Sequence, residues 1–148
     1  MNLKKVVLYN FKSFKGKHTY HFSNLNIIKG KNGSGKSSLI KDAILFALYR
    51  YSNRRLEDLP TRGISDECKV ILYIDDYKIE RAYPSNIRIW KNDKEVELDT
   101  NTKKDKFIVE TFNDLDFTRK FRIIDLDQGI NILEEGKSIL RKTLFGLH

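Results

Sequence analysis

The chain has 148 residues, 28 Lys and Arg against 20 Asp and Glu, a formal net charge of +8 and a pI near 9.5, a balance that suits a polyanion-binding surface such as one for DNA. The lysines are scattered through a chain rich in Lys, Asn and Ile, so charge supports that partner only beside other evidence. One cysteine, Cys68, excludes an intramolecular disulfide, and His18, His21 and His148 show no ligand spacing with it, so no structural metal is expected. No apolar run approaches the ~20 residues of a membrane span, and Met1 to Lys5 lack a signal peptide's apolar core. A cytoplasmic protein without a membrane partner is expected. No repeat or linker divides the chain, so one domain over 1–148 is predicted.

Leu3 to Tyr9 reads as a first strand and His18 to Phe22 as a second, with Gly16 in the turn between them. Leu25 to Lys29 is a short β-branched run ending at Gly30, as a buried strand feeding a tight loop should. From Lys36 the period changes: Leu39, Ile40, Ala43, Ile44, Ala47 and Leu48 recur at helical spacing, predicting a helix with one buried face to about Arg50. A charged loop with Arg54, Arg55 and Arg62 follows. Cys68 to Ile74, Tyr77 to Tyr83, Asn86 to Lys91 and Glu95 to Leu98 read as a meander, with Asp75-Asp76 and Asn92-Asp93 as turns. Thr102 to Phe112 is a predicted helix capped by Asn101 or Thr102. Phe121 to Leu126 reads as a strand and Gly136 to Leu147 as a last helix.

Gly30-Lys31-Asn32-Gly33-Ser34-Gly35-Lys36-Ser37 fits G-x-x-x-x-G-K-[ST] at every fixed position and lies between a predicted strand and a predicted helix. The glycines let backbone N–H groups approach phosphate oxygens, and the helix adds the positive end of its dipole. The ligand read from this motif is a nucleoside triphosphate, ATP with Mg²⁺. Lys36 would bridge the β and γ phosphates and the Ser37 hydroxyl would ligate Mg²⁺. Such a site also needs a carboxylate at a neighbouring strand end. Val70 to Asp76 offers Asp75 and Asp76, but Tyr77 to Arg81 resumes strand alternation at once, which favours a hairpin turn. Asp125 and Asp127 are a weaker second pair because Leu126 separates them.

The opening 48 residues resemble the SMC/RecF/SbcC group of chromosome and DNA-repair ATPases. The matching residues are Asn10-Phe11-Lys12-Ser13 after the first strand, the P-loop Gly30 to Ser38, and Asp42-Ala43-Ile44 in the following helix. Asp127 to Leu133 resembles the Q-loop of the SbcC/Rad-fifty branch, with Gln128 lying 92 positions after Lys36. The resemblance implies an α/β P-loop NTPase fold, the N-terminal lobe of an ABC-type ATPase head, with an antiparallel β meander packed beside the P-loop strand and helix. The P-loop would lie near 30–38, the Q-loop near 127–130 and the start of a coiled-coil helix at 136–148.

By resemblance, Asn32, Gly33, Ser34, Gly35, Lys36, Ser37 and Ser38 bind phosphates, Ser37 and Gln128 contact Mg²⁺, and Gln128 places the attacking water. Lys12 and Ser13 would contact the nucleotide; Lys12 stands where close relatives often carry Arg, giving a point charge instead of a planar fork. The group builds its head from two halves, so the implied partners are the C-terminal half of the same head, a second head in a homodimer, an SbcD/Mre-eleven type nuclease, and DNA. A chain holding only the first half would be nearly inactive alone, and if prokaryotic would lie at the nucleoid. The rival readings are an SMC-like or RecF-like head, a small nucleotide kinase using Asp75, and a non-catalytic nucleotide-dependent DNA-binding or scaffold module.

Overall fold

The computed structural model describes residues 3–21, 27–29, 36–118, 123–126 and 129–132. Strands β1 (Leu3–Phe11), β2 (Phe14–His21), β4 (Cys68–Ile74), β5 (Tyr77–Tyr83), β6 (Asn86–Lys91) and β7 (Lys94–Glu95) form one sheet in the order β2-β1-β4-β5-β6-β7. Every neighbouring pair in it is antiparallel. A second, three-stranded sheet has the order β3-β9-β8, from β3 (Ile27–Lys29), β8 (Ile123–Leu126) and β9 (Gly129–Ile132). The helices are α1 (Lys36–Tyr49), α2 (Asn101–Phe112) and the short α3 (Leu115–Phe117).

Alternation on the large sheet decides its faces. Val6, Leu8, Val70, Leu72, Ile74, Ile79, Ile87 and Ile89 point to one side and are fully buried. Against them lies α1, which touches β1, β4 and β5 on one flank and α2 and β9 on another. The predicted stripe on α1 is buried, but so are Leu45 and Phe46. The expectation of one buried face is therefore corrected: the buried surface of α1 extends beyond that stripe, with Phe46 packed on Phe11 of β1 and the helix also touching α2 and β9.

Burial obliges the carboxyl end of α1 to find polar partners inside the protein. Arg81 of β5, almost fully buried, donates its Nε to the Ala47 carbonyl at 2.9 Å and Nη2 to the Leu48 carbonyl at 3.3 Å. The same Nη2 donates to Asp105 Oδ1 of α2 at 2.7 Å. Burial pushes the guanidinium pKa below its ordinary value, and Asp105 pulls it back. Arg50, at φ 54, ends the helix in the left-handed region, and Tyr49 Oη donates to the Asn113 carbonyl at 2.8 Å and bonds Thr118.

The three long meander strands have the predicted limits, and Asp75-Asp76 is the predicted turn, with Asp75 at φ 52. Asn92 and Asp93 both adopt positive φ, as a two-residue hairpin turn requires. Other expectations change. The β1–β2 turn is Lys12-Ser13, while Gly16 sits inside β2 at φ 76, where two residues of β2 oppose Asn10 between the pairs Tyr9–Lys17 and Phe11–Phe14. That is a β-bulge, and glycine supplies its left-handed position. The fourth meander strand covers only Lys94–Glu95, because the chain then turns toward α2. The α2 cap is Thr100, whose extended backbone aims its hydroxyl at the Lys103 N–H. Strand β9 and the short α3 carry no periodicity that predicts them. The expected helix at 136–147 lies outside the described residues.

Arg81→Leu should lower unfolding free energy by about 2–4 kcal/mol, since it strands two buried carbonyls. Asp105→Asn should cost only about 1 kcal/mol, the Asp105 carboxylate being half-exposed. Urea titration of the full chain measures both. The Cys68 thiol, pushed up to about 12 by burial, should resist alkylation at pH 8 until the chain unfolds, as timed labelling in rising urea would read out.

Candidate nucleotide site

The amino end of α1 is where the glycine-rich segment joins the fold. Gly30, Lys31, Asn32, Gly33, Ser34 and Gly35 lie outside the described residues; Lys36, Ser37 and Ser38 form the first turn of α1, their side chains undescribed. No acidic residue occupies that turn, so none of its own side chains is an anion for its N–H groups. At its other end, the glycine-rich segment continues from β3, whose last residue is Lys29.

The small sheet determines what faces it. The antiparallel β3–β9 ladder pairs Ile27 with Asn131, Ile28 with Ile130 and Lys29 with Gly129. Gly30 follows Lys29 and Gln128 precedes Gly129, so the two segments leave adjacent strands at the same end of one ladder. Gln128 itself lies outside the described residues, as does Asp127. The ladder therefore joins Lys29 and Gly129, one hundred positions apart, which sequence alone leaves unconnected.

The Asn10–Ser13 segment reaches α1 from the large sheet. Phe11 is fully buried, with its ring centroid 6.0 Å from that of Phe46 on α1. Beyond it the strand is pinned by the Phe11–Pro60 bridge, by the Lys12 N–H on the Leu59 carbonyl, and by the Thr61 N–H on the Asn10 carbonyl at 2.9 Å. Asn10 stands at φ 48, and its Oδ1 accepts the Gly16 N–H at 2.7 Å across the bulge. Lys12, at φ 54, is thereby turned toward α1, where its Nζ pairs with the Asp42 carboxylate. Both side chains are about one-quarter exposed, at 23% each. Lys12 and Ser13 also line an open cleft of about 640 Å³ with Arg54, Asp58, Pro60, Thr61 and Arg62. Arg55, by contrast, points to solvent and pairs with Glu57.

Of the residues expected in the site, Lys12 is thus brought to the helix that carries Lys36, and Ser13, Arg54 and Arg62 line the cleft beside it. Asp42 was expected only as part of a helix pattern; its role as the partner of Lys12 has a sequence signal in that same pattern. Asp75 belongs elsewhere. Ile74 pairs with Leu3, whereas Lys12 follows Phe11 at the far end of β1, about 25 Å away along the strand. Among the described residues, no group of three or more His, Cys, Asp or Glu side chains is arranged to hold a metal ion.

A glycine-rich segment joining a strand to α1, with an antiparallel sheet beside it, is the arrangement of a P-loop domain of ABC-type head architecture. The chain belongs to the AAA domain family, whose profile matches residues 5–144. It is 34% identical to the DNA double-strand break repair Rad50 ATPase of Saccharolobus solfataricus over 94 residues, 64% of this chain and 11% of that protein. It is 42% identical to the chromosome partition protein Smc of Thermoplasma acidophilum over 74 residues, 46% of this chain and 6% of that one. The chain thus spans about a tenth or less of these relatives. A structure from work on ATP-driven dimerization and DNA-stimulated activation of SMC ATPases superposes with a TM-score of 0.58 and 24% identity, covering 78% of this chain and 82% of that one. That last likeness is one of fold. Among the described residues, no helix is long and apolar enough to cross a membrane.

A double-mutant cycle with Lys12→Ala and Asp42→Ala should give a coupling of about 1 kcal/mol in stability, shrinking with added salt. Additive effects would show the pair to be incidental.

Proposed function

We propose that this chain is the ATP-binding half, the N-terminal lobe, of a DNA-repair or chromosome-maintenance ATPase head. The observation that carries the reading is the pairing of Lys29 with Gly129, which supports the P-loop and Gln128 facing one bound nucleotide. In this reading the backbone of Asn32 to Ser38 wraps the phosphates, Lys36 bridges the β and γ groups, and Lys12 and Ser13 approach from the β1–β2 turn. The donor chemistry fits: a carboxylate-free first helical turn, a lysine in the loop, and a cleft carrying Arg54 and Arg62 suit a polyphosphate. The Ser37 hydroxyl and the Gln128 carbonyl are oxygen donors of the kind Mg²⁺ takes. When bound, Mg²⁺ would neutralise charge building on the phosphates.

Asp75, in a hairpin turn about 25 Å of strand from Lys12, is not placed to serve the attacking water, and Asp127 of the second candidate pair lies outside the described residues. The remaining groups would come from the C-terminal half of the head and from a second head closing over the nucleotide. ATP would then favour the paired state by contacting both heads there and one head when they are apart. DNA on the paired heads is the proposed working substrate, with a nuclease of the SbcD/Mre-eleven type as partner, in the cytoplasm or at a nucleoid.

Lys36→Ala should weaken binding of a fluorescent ATP analogue by roughly 10–100-fold, the worth of one charge-assisted contact. Chelating Mg²⁺ should weaken it as well. Gln128→Ala should leave binding within about threefold and reduce hydrolysis once the C-terminal half is added. Asp75→Asn should change neither. Strong turnover by this chain alone, abolished by Asp75→Asn, would sink the split-site reading; binding without hydrolysis after the C-terminal half is added would favour a scaffold module.

A further inference from the structure

The face of the large sheet turned away from α1 has an order that the nucleotide site does not use. Register sets three rows of side chains across the strands. The first runs His21, Lys5, Tyr73, Lys78, Trp90 and Glu95, one residue per strand from β2 to β7. The third, four positions along each strand, runs Lys17, Tyr9, Lys69, Ala82 and Asn86. Between them Val7 and Ile71 make a nearly buried apolar floor. Cations and rings therefore alternate along one row and again along the start of the other.

The alternation is realised in contacts. Lys5 Nζ lies 4.2 Å from the Tyr73 ring centroid, Lys78 Nζ 4.7 Å from that of Trp90, and Lys69 Nζ 4.4 Å from that of Tyr9. The carboxylates of this face are already engaged: Glu80 with Lys69 at 3.9 Å, and Glu95 in a two-point contact with Arg88 at 2.8 and 3.2 Å. Among the described residues, Lys5, Lys17 and Lys78 make no ion pair with a carboxylate and rest on rings instead. A solvated outer face needs polar side chains but has no need of rings. Rings separated by unpaired ammonium groups match a ligand that carries flat π surfaces and repeated negative charge on one strand.

The geometry points to this outer face as a binding platform for single-stranded nucleic acid. Ammonium groups of Lys5, Lys17 and Lys78 move from ring to phosphate, and bases take their places on Tyr73, Trp90 and Tyr9. An acidic protein segment would use the cations but gain little from the rings. The platform lies on the opposite side of the sheet from α1, so binding there needs no nucleotide at the P-loop.

Trp90 is the one tryptophan of the sequence, which makes it a direct reporter. Labelled oligothymidylate added to the full chain should quench its fluorescence and raise the anisotropy of the label together. Affinity should fall with salt at a slope near −2, about −0.7 for each of three phosphate contacts. Lys5→Ala and Lys78→Ala should each flatten that slope by about 0.7. Tyr73→Leu should weaken binding roughly tenfold and leave the slope alone, the mark of stacking. All three variants lie on an outer face and should keep the wild-type melting profile. Lys36→Ala should bind the oligonucleotide like wild type, so loss of ATP binding with intact oligonucleotide binding would separate failure of the nucleotide site from failure of this one. Absence of quenching, a Tyr73→Leu variant that binds like wild type, or a polyglutamate peptide that competes at equal charge would each overturn the proposal, the last in favour of an acidic protein partner.

Discussion

A helix packed between layers cannot leave all of its end groups to water, and most of what is particular about this fold follows from α1, buried from Leu39 to Leu48 except at Lys41 and Asp42, being such a helix. Its carboxyl end is closed from within by Arg81, which spends a buried charge on two carbonyls and is itself held by Asp105. Its amino end is closed by no side-chain anion in the first turn, and the glycine-rich segment leads directly into it. One end of the helix thus has carbonyls taken by the protein, while the first turn at the other carries no acidic residue. That asymmetry in a single element is what the proposed nucleotide site would use.

The surroundings of α1 hold it at both levels. Phe11 and Phe46 bring the end of β1 against the helix, and the bulge at Gly16 turns the next residue, Lys12, toward Asp42. The large sheet therefore sets a charge, Lys12, against α1 at Asp42. The two sheets meet at α1, with β1, β4 and β5 on one flank and β9 on another. A change at either sheet is felt through a helix that has little freedom to give.

Much of this was legible because it is local. The P-loop pattern occupies eight consecutive positions, and the meander strands announce themselves by alternation with Asp-Asp and Asn-Asp turns between them. What was not legible depends on partners distant in sequence. Gly16 looked like a turn residue, since glycine marks turns and bulges alike and only the pairing with β1 distinguishes them. Leu45 and Phe46 depart from the helical period because tertiary neighbours bury them, Phe11 of β1 in the case of Phe46, which no single-segment pattern can reveal. Strand β9 is four residues of mixed character whose extended state is imposed by β3 and β8. Resemblance to a family names Gln128, whereas the pairing of the next residue, Gly129, with Lys29 is a fact of the fold that no local pattern carries.

The pairing of Lys29 with Gly129 also has a consequence for how the molecule comes into being. Its two strands are one hundred positions apart in sequence, so this ladder is a contact of high order, unfavourable to close until the meander between has shortened the effective loop. During synthesis β3 and the glycine-rich segment emerge early and must wait for β9. The large sheet and α1 can gather their core in that interval, from contacts that close sooner. The phosphate-binding end would then be the last part of the domain to be completed, and a nascent chain could hold ATP in this way only once nearly all of these elements had been made.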